Sequence, residues 1–237
     1  MNGAMHRRVL LEAHARHVTA ALEDDFHHFA LRLEHDAQYV TAVDGQALRH
    51  PWATCPGAAA RLRELVGCAL SLRAAGVAAH IDPYQQCTHQ YDLALMALAQ
   101  AVRGGRREYL AVVTDPAGGR RTAVLECDGK AILEWTLEGS LVVSGTYLAG
   151  ANLRKLDTTT LCAGDPDLAQ AVRLLRRTVM VAGGRGVDFE RVATLAEFGH
   201  MTGACYAFQP QRLAEGGRVT GSVRDFSGRP EDLLKPA

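Results

Sequence analysis

From Phe26 onward polar and apolar positions alternate with the period of a strand: His27, Phe29, Leu31 and Leu33 fall on one face, Phe26, His28, Ala30 and Arg32 on the other. His35, Asp36 and Ala37 make a turn, Gln38 to Val43 continue as a second strand, and Asp44-Gly45 is a hairpin signal leading to a third near Ala47 to Arg49. The N-terminal part therefore predicts a β-meander. Ahead of it, residues 6 to 22 mix apolar positions with His14, Arg16 and His17, so residues 1–22 read as a helical or partly ordered arm. Pro51 to Gly57 interrupts the sheet and opens a helix capped near Thr54 or Cys55, which runs to about Val66 and stops at Gly67. Residues 68 to 87 read mostly as connection. A longer helix begins at Thr88, whose hydroxyl can cap it, carries Tyr91, Leu95, Leu98 and Val102 along one side, and ends at Gly104-Gly105.

Four short strands follow, Tyr109 to Thr114, Thr122 to Cys127, Ala131 to Leu137 and Ser140 to Val143, with turn dipeptides such as Asp128-Gly129 between them. Asp165-Pro166 opens a helix through Val181, a further helix covers Val187 to Phe198, and Ala204 to Phe208 and Arg218 to Val223 read as strands. Residues 226–237 read as a tail. Strands in runs, with helices between the runs, predict an α+β fold of antiparallel sheets with about four helices packed on them. No linker-like tract divides residues 1–237, which predicts one domain.

Composition narrows the function. The 26 basic residues balance 26 acidic ones, so the field that would gather nucleic acid or an anionic membrane is missing, and no nucleic-acid or membrane partner is expected. No apolar run reaches a membrane span, and the apolar stretch after Arg8 stops at Glu12, short of a signal-peptide core, which predicts a cytoplasmic protein. Lysine occurs only at Lys130, Lys155 and Lys235, which disfavours amine catalysis. Gly183 to Gly186 lacks a phosphate-loop ending, and no Gly-x-Ser-x-Gly elbow occurs. The cysteines, Cys55, Cys68, Cys87, Cys127, Cys162 and Cys205, form no Cys-x-x-Cys pair and read by default as buried thiols.

The segment richest in chemistry is Gln86 to Asp92. It places a thiol, a hydroxyl, an imidazole and a carboxylate (Cys87, Thr88, His89, Asp92) at a helix start, where free N–H groups favour anions. His89 can act as general acid or base near neutral pH with Asp92, one turn on, orienting it, or the segment can simply cap and pack. His27 shares a face with apolar residues and is expected near the core; His28, on the opposite face, meets His89 if that face lines a cavity and faces water if it does not. Imidazole and carboxylate ligands suit zinc or iron, but no H-E-x-x-H or His-x-His spacing accompanies His28, His89 and Asp92, so no metal is assigned. Arg49, Trp52 and Thr54 fall where the meander ends, a place for a pocket mouth, and Tyr206 and Phe208 would share one face of a strand and contact an aromatic ligand or pack in the sheet.

Thr54-Cys55-Pro56, Gln86-Cys87-Thr88-His89 and the late Gly203-Ala204-Cys205-Tyr206 resemble the bacterial family catalogued as domain of unknown function 2889, over roughly residues 26 to 103 and 199 to 227. The family's mark is a Cys-Thr-His at a helix start, often with Gly before and Leu after; here Gln86 and Gln90 stand in those places. The resemblance implies bacteria that degrade lignin-derived aromatics, in which cofactor-independent lyases remove one-carbon fragments. The reading that follows is a carbon–carbon lyase that needs no cofactor and acts on a small aromatic substrate, releasing formaldehyde from a hydroxymethyl side chain, with His89, Asp92 and His28 in proton transfer and Trp52, Thr54, Arg49, Tyr206 and Phe208 holding the substrate. Two alternatives stay open: a non-catalytic aromatic-ligand-binding or assembly protein, and a metal-dependent enzyme with His and Asp ligands. The extended sheets leave room for homo-oligomerisation.

Overall fold

The structure, a computed structural model, describes residues 3–157 and 164–235, without the side chains of Ala74 and Glu190. Cys162 lies outside the described residues, and with it the buried-thiol reading of that position. Eight strands, β1 (Ala4–Ala13), β2 (His17–Glu23), β3 (His28–His35), β4 (Val40–Arg49), β5 (Arg106–Thr114), β6 (Arg120–Cys127), β7 (Lys130–Glu138) and β8 (Leu141–Gly145), form an antiparallel sheet in the order β4-β3-β2-β1-β5-β6-β7-β8. Among the described residues the α-helices are α1 (Gly57–Arg61), α2 (Ala74–His80), α3 (Thr88–Arg103) and α4 (Pro166–Ala182). The fold is α+β with an antiparallel sheet, as the sequence pattern predicts. Two compact units make up the chain, Leu10–Arg106 with Asp188–Arg224, and Met1–Val9 with Arg107–Val187 and Asp225–Ala237.

In the first of these units the register between β2 and β3 sets Val18 opposite Leu33, Ala20 opposite Leu31 and Leu22 opposite Phe29. All six side chains are buried, and α3 packs on these two strands. Every residue of α3 from Gln90 to Gln100 is buried, which accounts for its run of Leu, Ala and Met without a polar face. Gly104, at φ +75°, ends the helix and donates its N–H to the Gln100 carbonyl, so the predicted glycine stop holds. Helix α1 packs on β4 and passes into a 3-10 turn over Leu62–Leu65, and Gly67, at φ +86°, closes the segment where expected. Residues 68 to 87, predicted as connection, also hold the short α2 and a 3-10 turn at Pro83–Gln85.

Several expectations are corrected. The N-terminal arm is β1 and β2: Met5, Arg7, Val9 and Leu11 are all buried, and the charge of Arg7 hides the alternation in the sequence. Asp44-Gly45 is not a hairpin turn; β4 runs through it, and a Cβ at Gly45 would sit 2.8 Å from Leu62 Cδ1, so glycine there admits the neighbouring turn. The helix predicted over Val187 to Phe198 is instead two 3-10 turns, Phe189–Arg191 and Leu195–Met201, the second opened by a Thr194/Glu197 capping box. The strands predicted at Ala204 to Phe208 and Arg218 to Val223 are turns, with isolated bridges Trp52 to Arg218 and Thr194 to Gly217. Gly and Pro near these segments leave too few consecutive pairing residues for a ladder.

In the other unit the four predicted strands appear as β5 to β8, and α4 packs on β6 and β7. Asp128 and Gly129, at φ +50° and +78°, form the tight turn between β6 and β7. Asp165 caps α4 by accepting the N–H groups of Asp167 and Leu168. Residues 226 to 235, expected as a tail, are anchored: Phe226 and Leu233 are buried, and Ser227 Oγ accepts the Ala4 N–H and donates to the Ala4 carbonyl. Trp135, fully buried on β7, donates Nε1–H to the Thr146 carbonyl at 3.0 Å beside Gly145. Gly145 has φ +133°, and a Cβ there would lie 2.1 Å from the Glu134 carbonyl oxygen, a backbone atom that cannot move aside. Gly145→Ala is therefore expected to destabilise this unit by at least about 1–3 kcal/mol, read as a lower urea midpoint with an unchanged slope.

Candidate functional site

The site begins with a turn of the chain. Between β2 and β3 the residues Glu23, Asp24, Asp25, Phe26 and His27 reverse direction, and all five are buried. Asp24 makes the turn possible: its Oδ1 accepts the N–H groups of Phe26 (2.8 Å) and His27 (2.9 Å), an Asx turn in which a side chain does the work of a backbone carbonyl. The same oxygen lies 3.1 Å from His27 Nδ1, and Oδ2 lies 3.4 Å from it.

Arg49, at the end of β4, fastens this turn from the adjacent strand. Its Nη1 donates to the carbonyls of Asp25 (2.9 Å) and Ser222 (2.8 Å), and its Nη2 donates to the carbonyls of Asp24 and His27 and to Glu23 Oε1 (3.2 Å). Burial, the largest influence, lowers the Arg49 pKa, while the bond to Glu23 and the charges of Glu23 and Asp24 oppose it. Arg49, expected at a pocket mouth, thus has its guanidinium engaged with the turn.

His27 projects from the turn onto the face of Phe29, as alternation predicts, and stacks on His89 with ring centroids 4.0 Å apart and an interplanar angle of 28°. Phe29 lies 6.1 Å from the His89 ring. The imidazole brought against His89 is therefore His27. His28, on the opposite face, sits 3.6 Å from Glu23 Oε1; burial, its largest influence, lowers its pKa, Glu23 raises it, and Arg49 and Arg224 lower it. His50, bonded through Nδ1 to the Trp52 carbonyl at 2.9 Å, is also lowered by burial first, with the Trp52 bond opposing and the charge on His27 adding to it.

His89 stands on the first turn of α3. Cys87 occupies the cap position, and no side chain caps the helix, so Thr88 is its first residue and not its predicted cap. Cys87 Sγ lies 3.9 Å from His89 Nδ1. Asp92 follows, buried, on the same helix. Tyr206 joins the segments that carry the resemblance: its N–H donates to the Gln86 carbonyl at 2.9 Å, and its hydroxyl lies over the start of α1, where a Cβ on Gly57 would be 2.6 Å from it. The Arg212 guanidinium sits 3.7 Å from the Tyr206 ring centre. Burial pushes the Cys55 thiol well up, and the neighbouring Cys87 and Cys205 add to it. The Thr54 hydroxyl makes no hydrogen bond among the described residues.

Trp52 and Phe208 belong to a buried cluster with Cys55, Leu195 and Ala207, against which Phe189 and Phe198 pack. Phe198 meets Trp52 at 5.7 Å and Phe208 at 6.5 Å, both edge-on. Phe26 of the turn lies 5.4 Å from Phe189. Sequence reasoning passed over Asp24, and the signal was present: an Asp two and three residues ahead of Phe26 and His27 is the Asx-turn spacing.

The unit that carries this site is thus an antiparallel sheet covered by α3, with a stacked imidazole pair where the β2–β3 turn meets the helix start. Residues 7–103, from β1 to the end of α3, match the model of a family described as a protein of unknown function (DUF2889). The resemblance read from the motifs is borne out over that stretch, which holds both histidines, Asp24, Arg49 and Cys87, while Cys205 and Tyr206 lie beyond it. No curated protein matches the chain. Among the described residues no group of three His, Cys, Asp or Glu side chains is disposed to hold a metal ion, and no helix is long and apolar enough to cross a membrane.

Two outcomes follow from the burial. Arg49→Met removes the cation from a turn holding buried Glu23, Asp24 and Asp25 and is expected to cost about 3–5 kcal/mol, measured by denaturant unfolding. The Cys55 thiol, kept protonated by burial, should resist iodoacetamide in the folded protein at mildly alkaline pH and react only after unfolding, as read by peptide mass spectrometry.

Proposed function

We propose that this unit carries a lyase site that needs no cofactor and acts on a small aromatic molecule bearing a hydroxymethyl side chain, releasing formaldehyde by histidine-mediated proton transfer. The observation that carries the reading is the His27–His89 stack at 4.0 Å, which sets two proton-transfer groups on one spot beside the start of α3. The chemistry asks for such a pair. A base takes the hydroxyl proton, the oxygen forms the carbonyl of formaldehyde, and the carbon–carbon bond breaks. Its electron pair forms a C=C bond as an oxygen substituent on the next carbon departs, and an acid returns a proton to that oxygen. Electrons balance without an oxidant or reductant.

Other features support it. The start of α3 has no side-chain cap, so its N–H groups favour negative charge developing on the departing oxygen. Tyr206 lies next to Gln86, and the aromatic cluster of Trp52, Phe189, Phe198 and Phe208 gives the surroundings an apolar character suited to an aromatic substrate. Small-molecule turnover is consistent with the balanced charge of the chain.

The test is a panel of aromatic dimers with hydroxymethyl side chains, followed by formaldehyde release. Once one is turned over, His89→Ala and His27→Ala should each lower kcat by about 10²–10⁴-fold, and His28→Ala should keep most of the activity. Binding of the dimers with no formaldehyde would favour a non-catalytic aromatic-ligand protein, and full activity in His89→Ala would remove the assignment.

A further inference from the structure

A histidine that accepts a proton at one ring nitrogen must keep a proton on the other, and an unconstrained neutral imidazole exchanges between both forms. The β2–β3 turn decides between them for His27. Asp24 Oδ1 already accepts two backbone N–H groups, from Phe26 and His27, so it faces this turn as an acceptor. The ring nitrogen 3.1 Å away is Nδ1, and a hydrogen bond across that distance needs the proton on Nδ1.

We infer that Asp24 is a positioning residue that locks His27 in the form with its proton on Nδ1, leaving Nε2 of His27 as the base for the substrate hydroxyl. The inference rests on the proton-transfer reading of the His27–His89 pair. The hydroxyl proton moves to Nε2, Nδ1–H stays bonded to Asp24, and the cation so formed lies beside a carboxylate. The carboxylate is held in place from several sides. Asp24 is fully buried, and two backbone N–H groups fix one oxygen. Arg49 ties the carbonyls of Asp24, Asp25 and His27 to its guanidinium, so the backbone bearing both the acid and the ring is pinned. The ring itself is held flat by His89 on one side, with Phe29 at 5.5 Å and Phe26 edge-on at 6.2 Å. Position and tautomer are thereby set before a substrate arrives, which a proton acceptor requires.

The Asp24→Asn variant isolates the role. Its amide oxygen, held in the place of Oδ1, can still accept the two backbone N–H groups, while the negative charge that favours Nδ1–H and meets the cation formed at His27 is removed. The experiment is long-range ¹H–¹⁵N correlation NMR on protein labelled at histidine nitrogens, recorded where the rings are neutral. The wild-type protein should show His27 protonated on Nδ1 as a single ring form, and D24N should keep the remaining backbone spectrum. Wild-type His27 protonated on Nε2, or exchanging between the two ring forms, overturns the inference. If D24N does not fold, the wild-type spectrum alone decides. With a substrate that releases formaldehyde, D24N should lower kcat by about 10⁴-fold, as for the equivalent Asp→Asn change in a serine protease, with KM little altered. The ring form is read without any substrate, so failure of the lyase reading and failure of the Asp24 assignment are seen separately.

Discussion

The hydrogen bonds from the Arg49 guanidinium to the β2–β3 turn are the interaction on which the rest of this unit depends. Glu23, Asp24 and Asp25 are three consecutive acidic residues, each at most 4% exposed. Burying carboxylates side by side is costly unless a cation and hydrogen bonds compensate them. Arg49 supplies the cation from the neighbouring strand, and its fork of donors meets several backbone carbonyls as well as Glu23. Arginine suits this place better than lysine, because a planar guanidinium presents donors in several fixed directions at once. The Arg224 N–H, bonded to the Asp25 carbonyl at 2.8 Å, fastens a later loop to the same turn. A surface turn would need none of this. A turn that presents a carboxylate to a histidine inside the structure does.

The tight turn is linked to the site through the periodicity of β3. Because side chains alternate along a strand, the residue that leaves the turn as His27 must face the side of Phe29, Leu31 and Leu33, and that is the side α3 covers. His28 falls on the other side and finds Glu23. One residue of register therefore separates an imidazole stacked on His89 from one paired with a carboxylate across the strand. The bulge between His28 and Phe29 opposite β4 sits at this point, and it is where a strand can re-aim its side chains.

Much of this was legible in the sequence, and the rest was hidden for identifiable reasons. The alternation from Phe26 to Leu33, the glycine stop after Arg103 and the four central strands follow from local rules that tertiary contacts did not override. The first two strands were masked because Arg7 is buried among apolar residues and His14, Arg16 and His17 crowd their connection, so charge stood where a core residue was expected. The turns around residues 189 to 223 take their conformation from an aromatic cluster assembled from distant positions, which no local window contains. Within the candidate site, the placement of His89 on the first turn of α3 was readable, and the side of β3 on which His27 lies was readable too. That the covered side would bring His27 to His89 was not, because it requires knowing that α3 packs on β2 and β3 and not elsewhere.

The site also shows how burial divides residues of the same type among different tasks. His27 and His28 are adjacent in sequence, and Cys55, Cys87 and Cys205 share one neighbourhood, yet their surroundings differ. Burial keeps the Cys55 thiol protonated and inert, whereas Cys87 stands at an uncapped helix start with its sulfur near His89 Nδ1. A helix start offers partial positive charge, and a buried aromatic cluster offers a low-dielectric wall that strengthens any charge interaction set against it. The proposed proton transfer would gain from both, since the charge it creates would be met by groups already in place with little solvent to reorganise. The same chain thus spends stability on a buried acidic turn and directs the electrostatic consequence at one pair of rings.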